Sequence, residues 1–324
     1  MRYYVTLFDS NYLTRGLVMY NSLRKHSESF HLWVICFDDL AHKILTDLKL
    51  EHLTLVSLAE FEDKELLRIK SERSQKEYCW TCTPSTALYV LNTEPHVDAV
   101  TYLDADLRFF SSPEPIFAED KDASILLTEH RYIPELEKTA ITSGIYNVQF
   151  VMFKRDTEGL KALNWWRERC LEWCFARAED NKFGDQKYLD DWATRFTGVH
   201  VVEHLGAGLA PWNVIQYQID SIDREVFVDE VPVIFYHFHA FKIHPFNIGY
   251  SCSYYEINAA VSQWIYKVYF QEIQAAYQQV RNHLPGFAGG LVNLPKVPKN
   301  PFALSKLIEQ VIIDIRKGKY FYYA

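Results

Sequence analysis

Val100-Thr101-Tyr102-Leu103-Asp104-Ala105-Asp106 is an apolar, strand-forming run that ends in two carboxylates with only Ala105 between them. Side chains at i and i+2 of an extended segment project to the same side, so Asp104 and Asp106 can face one divalent cation just past the strand. Hard cations such as Mg²⁺ are commonly held by one or two carboxylates plus substrate phosphates, without an all-protein cage. The spacing therefore points to a metal–diphosphate site at a strand end. The competing reading of an isolated Asp-x-Asp is a solvated turn after a buried strand, and the rest of the chain has to decide between the two.

Strand patterns lie near residues 3–8, 31–37, 52–57, 98–103, 123–127, 147–153 and 231–238, and helical patterns near 12–25, 39–48, 62–76, 84–92, 156–178 and 254–283. Strands separated by helices predict an α/β fold with a mainly parallel central sheet covered on both faces. Thr83-Pro84 reads as a helix start, with Thr83 as N-cap and Pro84 in the first turn. After about residue 250 the alternation gives way to helix and then to the Gly/Pro-rich stretch Pro285 to Pro301, so residues 1–250 are read as one domain and 251–324 as a helical C-terminal extension.

With 324 residues, 48% hydrophobic and 23% charged, the chain can build one large core or two smaller ones. A net charge of −8 argues against general nucleic-acid binding, which needs basic surface, so phosphate contacts should be local. The opening Met1 to Phe8 lacks a signal-peptide pattern, and no apolar run approaches the roughly 18 residues of a spanning helix. The expectation is a cytoplasmic protein. Six cysteines include the close pairs Cys79/Cys82 and Cys170/Cys174; without zinc-ribbon spacing or a secretion signal they read as buried free thiols.

The exit of the first strand, Thr6-Leu7-Phe8-Asp9-Ser10-Asn11-Tyr12, places hydroxyl, carboxylate, amide and ring where α/β proteins bind ligands. Tyr12 can stack on a nucleotide base while Asp9 or Asn11 bonds its edge; alternatively Asp9-Ser10-Asn11 only caps the following helix. The Gly-x-Gly-x-x-Gly of a dinucleotide fold is absent here. Near residue 240, Val233-Ile234-Phe235-Tyr236-His237-Phe238-His239-Ala240-Phe241-Lys242 is a strand-like run that ends in two histidines and a lysine. Imidazole can complete a metal site, and lysine can neutralise phosphate as a point charge.

Taken in order over residues 3–245, these segments resemble the GT-A nucleotide-diphospho-sugar transferases, especially the family 8-like group that includes glycogenin and bacterial lipooligosaccharide galactosyltransferases. The resemblance implies that Thr6, Phe8, Asp9, Asn11 and Tyr12 hold uridine, that Asp104 and Asp106 bind Mn²⁺ (or Mg²⁺) and the donor diphosphate, and that His237 is the third metal ligand with Lys242 on phosphate. Ala240 stands where the family usually has Gly, and the interval to Lys242 is one residue shorter, which makes His239 an alternative ligand. Phe183-Gly184-Asp185-Gln186 is similar to the family's Asp-Gln segment beside the donor sugar, and this implies catalytic roles for Asp185 and Gln186. Gly144 to Gln149 resembles the segment leading into an acceptor-side strand, and Trp80 or Thr81 could line the donor pocket.

The implied activity is metal-dependent transfer of a sugar, with retention, from a UDP-sugar to a hydroxyl of a glycan, lipid-linked or protein acceptor. Two other classes share these residues: a metal-dependent phosphohydrolase built on Asp104, Asp106, His237 and His239, and a non-catalytic sugar-nucleotide sensor. The C-terminal run Leu304 to Tyr323 has helical apolar spacing and a basic, aromatic end, which suits a peripheral contact with the inner face of a membrane. The commoner explanation is packing on the body or on a second copy of the chain, since Glu309 and Asp314 interrupt the basic face.

Overall fold

The structure, a computed structural model, describes residues 1–252, 254–294, 296–298 and 300–322. The first half alternates: β1 (Arg2–Phe8), α1 (Leu13–His26), β2 (Phe30–Cys36), α2 (Asp39–Leu48), β3 (Leu53–Ser57), α3 (Leu58–Phe61), α4 (Lys64–Lys70), α5 (Gln75–Thr93), β4 (Ala99–Leu103) and β5 (Leu107–Phe109). Then follow α6 (Glu114–Glu119), β6 (Ile125–Glu129), α7 (Thr139–Ser143), β7 (Tyr146–Lys154), α8 (Thr157–Glu172), α9 (Trp192–Arg195) and β8 (Val199–Val201). Short strands β9 (Ile219–Ile222), β10 (Glu225–Val228), β11 (Val231–Pro232), β12 (Phe235–His237), β13 (Lys242–His244) and β14 (Ile248–Tyr250) precede α10 (Ala259–Val261), α11 (Lys267–His283), α12 (Pro301–Arg316) and β15 (Tyr320–Tyr322).

Seven strands form the central sheet in the order β3-β2-β1-β4-β7-β6-β8. Only β7 runs antiparallel to its neighbours, β4 and β6, so the sheet is mainly parallel as its alternation with helices predicts. β7 reads as a nearly continuous buried run because both its faces are covered. One face packs on α5 and α8 through Val90, Leu91, Ala162 and Trp166; the other packs on α1 and α11 through Leu17, Val18, Phe270 and Ile273. Chain reversals at the carboxyl ends of β1 and β4 bring the Asp9–Tyr12 and Asp104–Asp106 segments to the same edge of the sheet.

Three sequence expectations change. The helix expected to start at Pro84 starts at Gln75, because Ser74 and Glu77 form a reciprocal capping box that satisfies the first amides. Pro84 lies inside α5, where its missing N–H leaves the Trp80 carbonyl without its helical donor. The expected helix 62–76 is divided into α4 and the first residues of α5, each with its own cap, Asp63 and Ser74. The expected strand 231–238 is two strands in different sheets, β11 on β10 and β12 on β5, and the second pairing sets His237 opposite Leu107.

The C-terminal residues interlock with what precedes them. β15 pairs with β14, which pairs with β13. The Tyr269 ring of α11 stacks on Phe238 at 3.5 Å between centroids. Along α12, Asp314 is buried and accepts a hydrogen bond from the Tyr250 hydroxyl at 2.9 Å, whereas Phe302, Ile308, Ile312 and Ile315 are exposed. Tyr323, the last residue of the expected amphipathic run, lies outside the described residues. Among the described residues no helix is long and apolar enough to cross a membrane.

Candidate functional site

Asp104 and Asp106 follow β4, and β12 delivers His237 to them by pairing with β5, the strand that leaves Asp106. His237 Nε2 lies 3.1 Å from Asp106 Oδ1 and 3.8 Å from Asp104 Oδ2. One ligand atom from each of the three residues falls within 4.8 Å of the other two. Asp106 and His237 are buried and Asp104 is half-buried. Burial raises the Asp104 carboxyl above the usual range. At Asp106 and His237 burial disfavours the charged forms, but their mutual attraction and hydrogen bond win, lowering the carboxyl and raising the imidazole. Two carboxylates and an imidazole form a donor set suited to a divalent cation, and three protein ligands leave coordination positions for substrate oxygens.

His239 does not join the cluster. The strand ends at His237, so the i, i+2 rule that would align the two histidines no longer applies, and the chain then turns through a left-handed Ala240 at φ 59. His239 is exposed, with its ring centroid 5.5 Å from Trp212 and 5.8 Å from His237. The left-handed geometry also accounts for glycine at the equivalent place in the resembling family. Lys242 opens β13, half-buried, with Nζ 5.9 Å from the centroid of the Tyr250 ring.

In the loop after β1, Asp9 is a structural hub: Oδ1 accepts from the Asn11 and Tyr12 amides at 2.9 and 3.2 Å, and Oδ2 from Asn11 Nδ2 and Gln75 Nε2 at 3.1 and 2.7 Å. Asn11 Oδ1 accepts from the Gly290 amide at 3.3 Å, so the C-terminal region buttresses the loop. Tyr12 is 45% exposed, with the Arg15 guanidinium 4.8 Å from its ring centroid, and leaves a ring face for a planar group. Thr6 and Phe8 sit below the loop, both buried; Phe8 lies against Gly16, where a β-carbon would come within 2.5 Å of its ring, while Thr6 Oγ1 has no partner.

Asp185 lies on the other side of Asp104. Trp166, fully buried, donates its indole N–H to the Asp185 backbone carbonyl at 2.8 Å. Gly184 has φ 53, and its α-carbon faces the Trp80 ring, where a β-carbon would sit 3.1 Å away. The Asp185 side chain is 3% exposed, its Oδ2 has no hydrogen-bond partner, and burial pushes its carboxyl up to about 7. Gln186 Nε2 donates to the Ser143 carbonyl at 2.6 Å, which leaves its amide oxygen as the free end. Trp80 thus borders this segment, whereas Thr81 is fully buried with its hydroxyl donated back to the Glu77 carbonyl, and cannot line a pocket.

Sequence reasoning missed Tyr102, whose hydroxyl donates to Asp104 Oδ1 at 3.0 Å, and His130, which meets Asn147 Nδ2 at 2.8 Å and stacks on Tyr132. Asn147 Oδ1 in turn accepts from the Gln149 amide, and the Gln149 carbonyl accepts from the Asp104 amide at 3.0 Å. This ties the Gly144–Gln149 segment to the carboxylate pair.

No protein-family model matches the chain. Among solved structures, the glycosyltransferase GlyE of Streptococcus pneumoniae TIGR4 superposes with a TM-score of 0.50 at 12% identity over 92% of this chain and 66% of that one. The galactosyltransferase LgtC, crystallised with donor and acceptor sugar analogs, gives 0.49 at 15% identity over 84% and 95%. The fold is that of the GT-A glycosyltransferases. By sequence, the uncharacterized protein YfnD of Bacillus subtilis (strain 168) is 35% identical over 306 residues, 93% of this chain and 97% of YfnD. Its compatriot YfnF is 38% identical over 247 residues, 74% of this chain and 82% of YfnF. The chain belongs to the family of the Bacillus subtilis proteins YfnD and YfnF.

Proposed function

We propose that this protein is a metal-dependent glycosyltransferase that moves a sugar, with retention, from a UDP-sugar to a hydroxyl acceptor. The observation that carries the reading is the Asp104–Asp106–His237 cluster, drawn together at a strand end of a glycosyltransferase fold. Asp104, Asp106 and His237 would hold Mn²⁺ or Mg²⁺. The bound cation supplies Lewis-acid stabilisation of the leaving diphosphate. Lys242 adds a positive charge on the phosphate side. Tyr12 stacks on the uracil ring, and Asp9 and Asn11 hold the loop that presents it. Residues 1–250 carry the donor site and catalysis, and 251–324 buttress it.

In the transfer, the bond between the anomeric carbon and the β-phosphate oxygen breaks and its electron pair leaves with UDP. The acceptor oxygen bonds to the anomeric carbon and gives its proton to the departing β-phosphate oxygen. Retention follows by either of two routes. Asp185 attacks first and forms a glycosyl ester that the acceptor then displaces, or the acceptor enters on the face UDP leaves while the free amide oxygen of Gln186 stabilises the electron-poor carbon. The first route uses Asp185 as an anion, which the positive charge of the developing sugar favours.

The hydrolase alternative asks His239 to serve a second ion roughly 3.5–4 Å from the first. Its ring stands outside the cluster of three. Release of UDP from a UDP-sugar, followed with and without a panel of sugar and lipid-linked acceptors, decides among the classes: release that rises with acceptor supports transfer, release indifferent to acceptor supports hydrolysis, and binding without release supports a sensor.

A further inference from the structure

Tyr102 is a residue to which neither the motif nor the reaction scheme gives a part. It is 4% exposed, at the end of β4, on the same face as Asp104 two residues on. Its hydroxyl donates to Asp104 Oδ1 at 3.0 Å, while Asp104 Oδ2 is the oxygen that faces His237. The two oxygens of one carboxylate are thus divided, one toward the protein and one toward the cluster. Thr83, buried in α5, donates its own hydroxyl back to the Cys79 carbonyl at 3.4 Å. The Tyr102–Asp104 hydrogen bond thus sits against an otherwise apolar layer of Cys82, Trp166 and Cys170.

A tyrosine in a buried strand could be core alone, and phenylalanine would fill the same volume without bringing a hydroxyl that needs a partner. The phenol O–H is a donor, and Asp104 Oδ1 is the acceptor it meets. Partners of metal-binding carboxylates are themselves part of a metal site, because they fix the orientation of the ligand.

We propose that Tyr102 is a positioning residue: its hydroxyl fixes the Asp104 carboxylate so that Oδ2 faces the cation. The inference rests on the reading of Asp104 as a metal ligand. Its test compares wild type with Tyr102→Phe by calorimetry of UDP binding in Mn²⁺ and in EDTA, together with the electron paramagnetic resonance spectrum of bound Mn²⁺. Tyr102→Phe should weaken Mn²⁺-dependent UDP binding by about 10–100-fold, change the Mn²⁺ spectrum, and leave UDP binding in EDTA unaltered. A purely structural tyrosine would alter the melting temperature and none of these ratios. Tyr102→Leu carries the test if Tyr102→Phe does not fold, with the same expected loss of Mn²⁺-dependent binding. Wild-type affinity and an unchanged spectrum in the folded variant overturn the inference while the metal-site reading stands. Absence of any Mn²⁺ effect on wild-type UDP binding overturns both.

Discussion

Asp185→Asn should make the ligand-free protein more stable at pH 8 and change its stability little at pH 4. The wild-type carboxyl is 3% exposed, has one oxygen without a partner, and titrates at about 7, whereas an unfolded aspartate titrates near 3.9. Between those values the folded chain keeps a proton that the unfolded chain has released, so raising the pH weakens the fold, and the loss is complete above about pH 7. At 1.36 kcal/mol per unit the penalty reaches about 4 kcal/mol. Asparagine keeps the shape and carries no charge to desolvate. Urea unfolding in EDTA at pH 4, 6 and 8 gives the difference between the two proteins at each pH. The gain should grow from near zero to as much as about 4 kcal/mol across that range, as a functional carboxylate held against its solvation demands. A constant difference, or one that shrinks with rising pH, would refute the argument.

Four further outcomes follow from the same geometry. Asp104→Asn and Asp106→Asn should each abolish Mn²⁺-dependent UDP binding while the melting temperature stays close to wild type, as read by calorimetry and thermal melts. His237→Ala should weaken that binding more than His239→Ala, since His239 lies outside the cluster; the opposite ranking would move the ligand. Ala240→Gly should stabilise by roughly 0.5–1 kcal/mol in denaturant, because a β-carbon at φ 59 costs about 1–2 kcal/mol and glycine returns part of that as unfolded-state entropy. Truncation after Pro301 should leave UDP binding intact and change liposome flotation or elution volume, since it removes the exposed row Phe302, Ile308, Ile312 and Ile315; no change in either would reduce α12 to packing.

The sheet was legible because its strands carry their own signature. β-branched and aromatic runs separated by helical periodicity locate β1, β2, β3, β4, β6 and β7, and the Asp-x-Asp stands out because a strand end puts i and i+2 on one side. The same rule misleads just past the end of β12. There it aligns His237 with His239, but β12 ends at His237, so the alternation does not extend to His239. Pro84 misled for a related reason: local propensity favours a helix start there, but the cap at Ser74 and burial against α8 carry the helix through it. Tyr102 gave no signal, because a hydroxyl buried in an apolar run is identical in sequence to core until its partner, Asp104, is located in space. β8 and the sheet β13-β14-β15 were missed because strands of three residues carry too little periodicity to register.

The central claim is that the Asp104–Asp106–His237 cluster binds a cation that holds a nucleotide-diphosphate sugar. Its most direct test is a thermal-shift titration of the purified protein with UDP-sugars, other nucleotide sugars and free sugars, each in Mn²⁺ and in EDTA. The account predicts that at least one UDP-sugar raises the melting temperature in Mn²⁺, approaching the equivalent of about 2.7 kcal/mol at 100 times its dissociation constant, and that EDTA or Asp106→Asn removes the shift. Stabilisation by no nucleotide sugar, or an equal shift in EDTA and Mn²⁺, would contradict it.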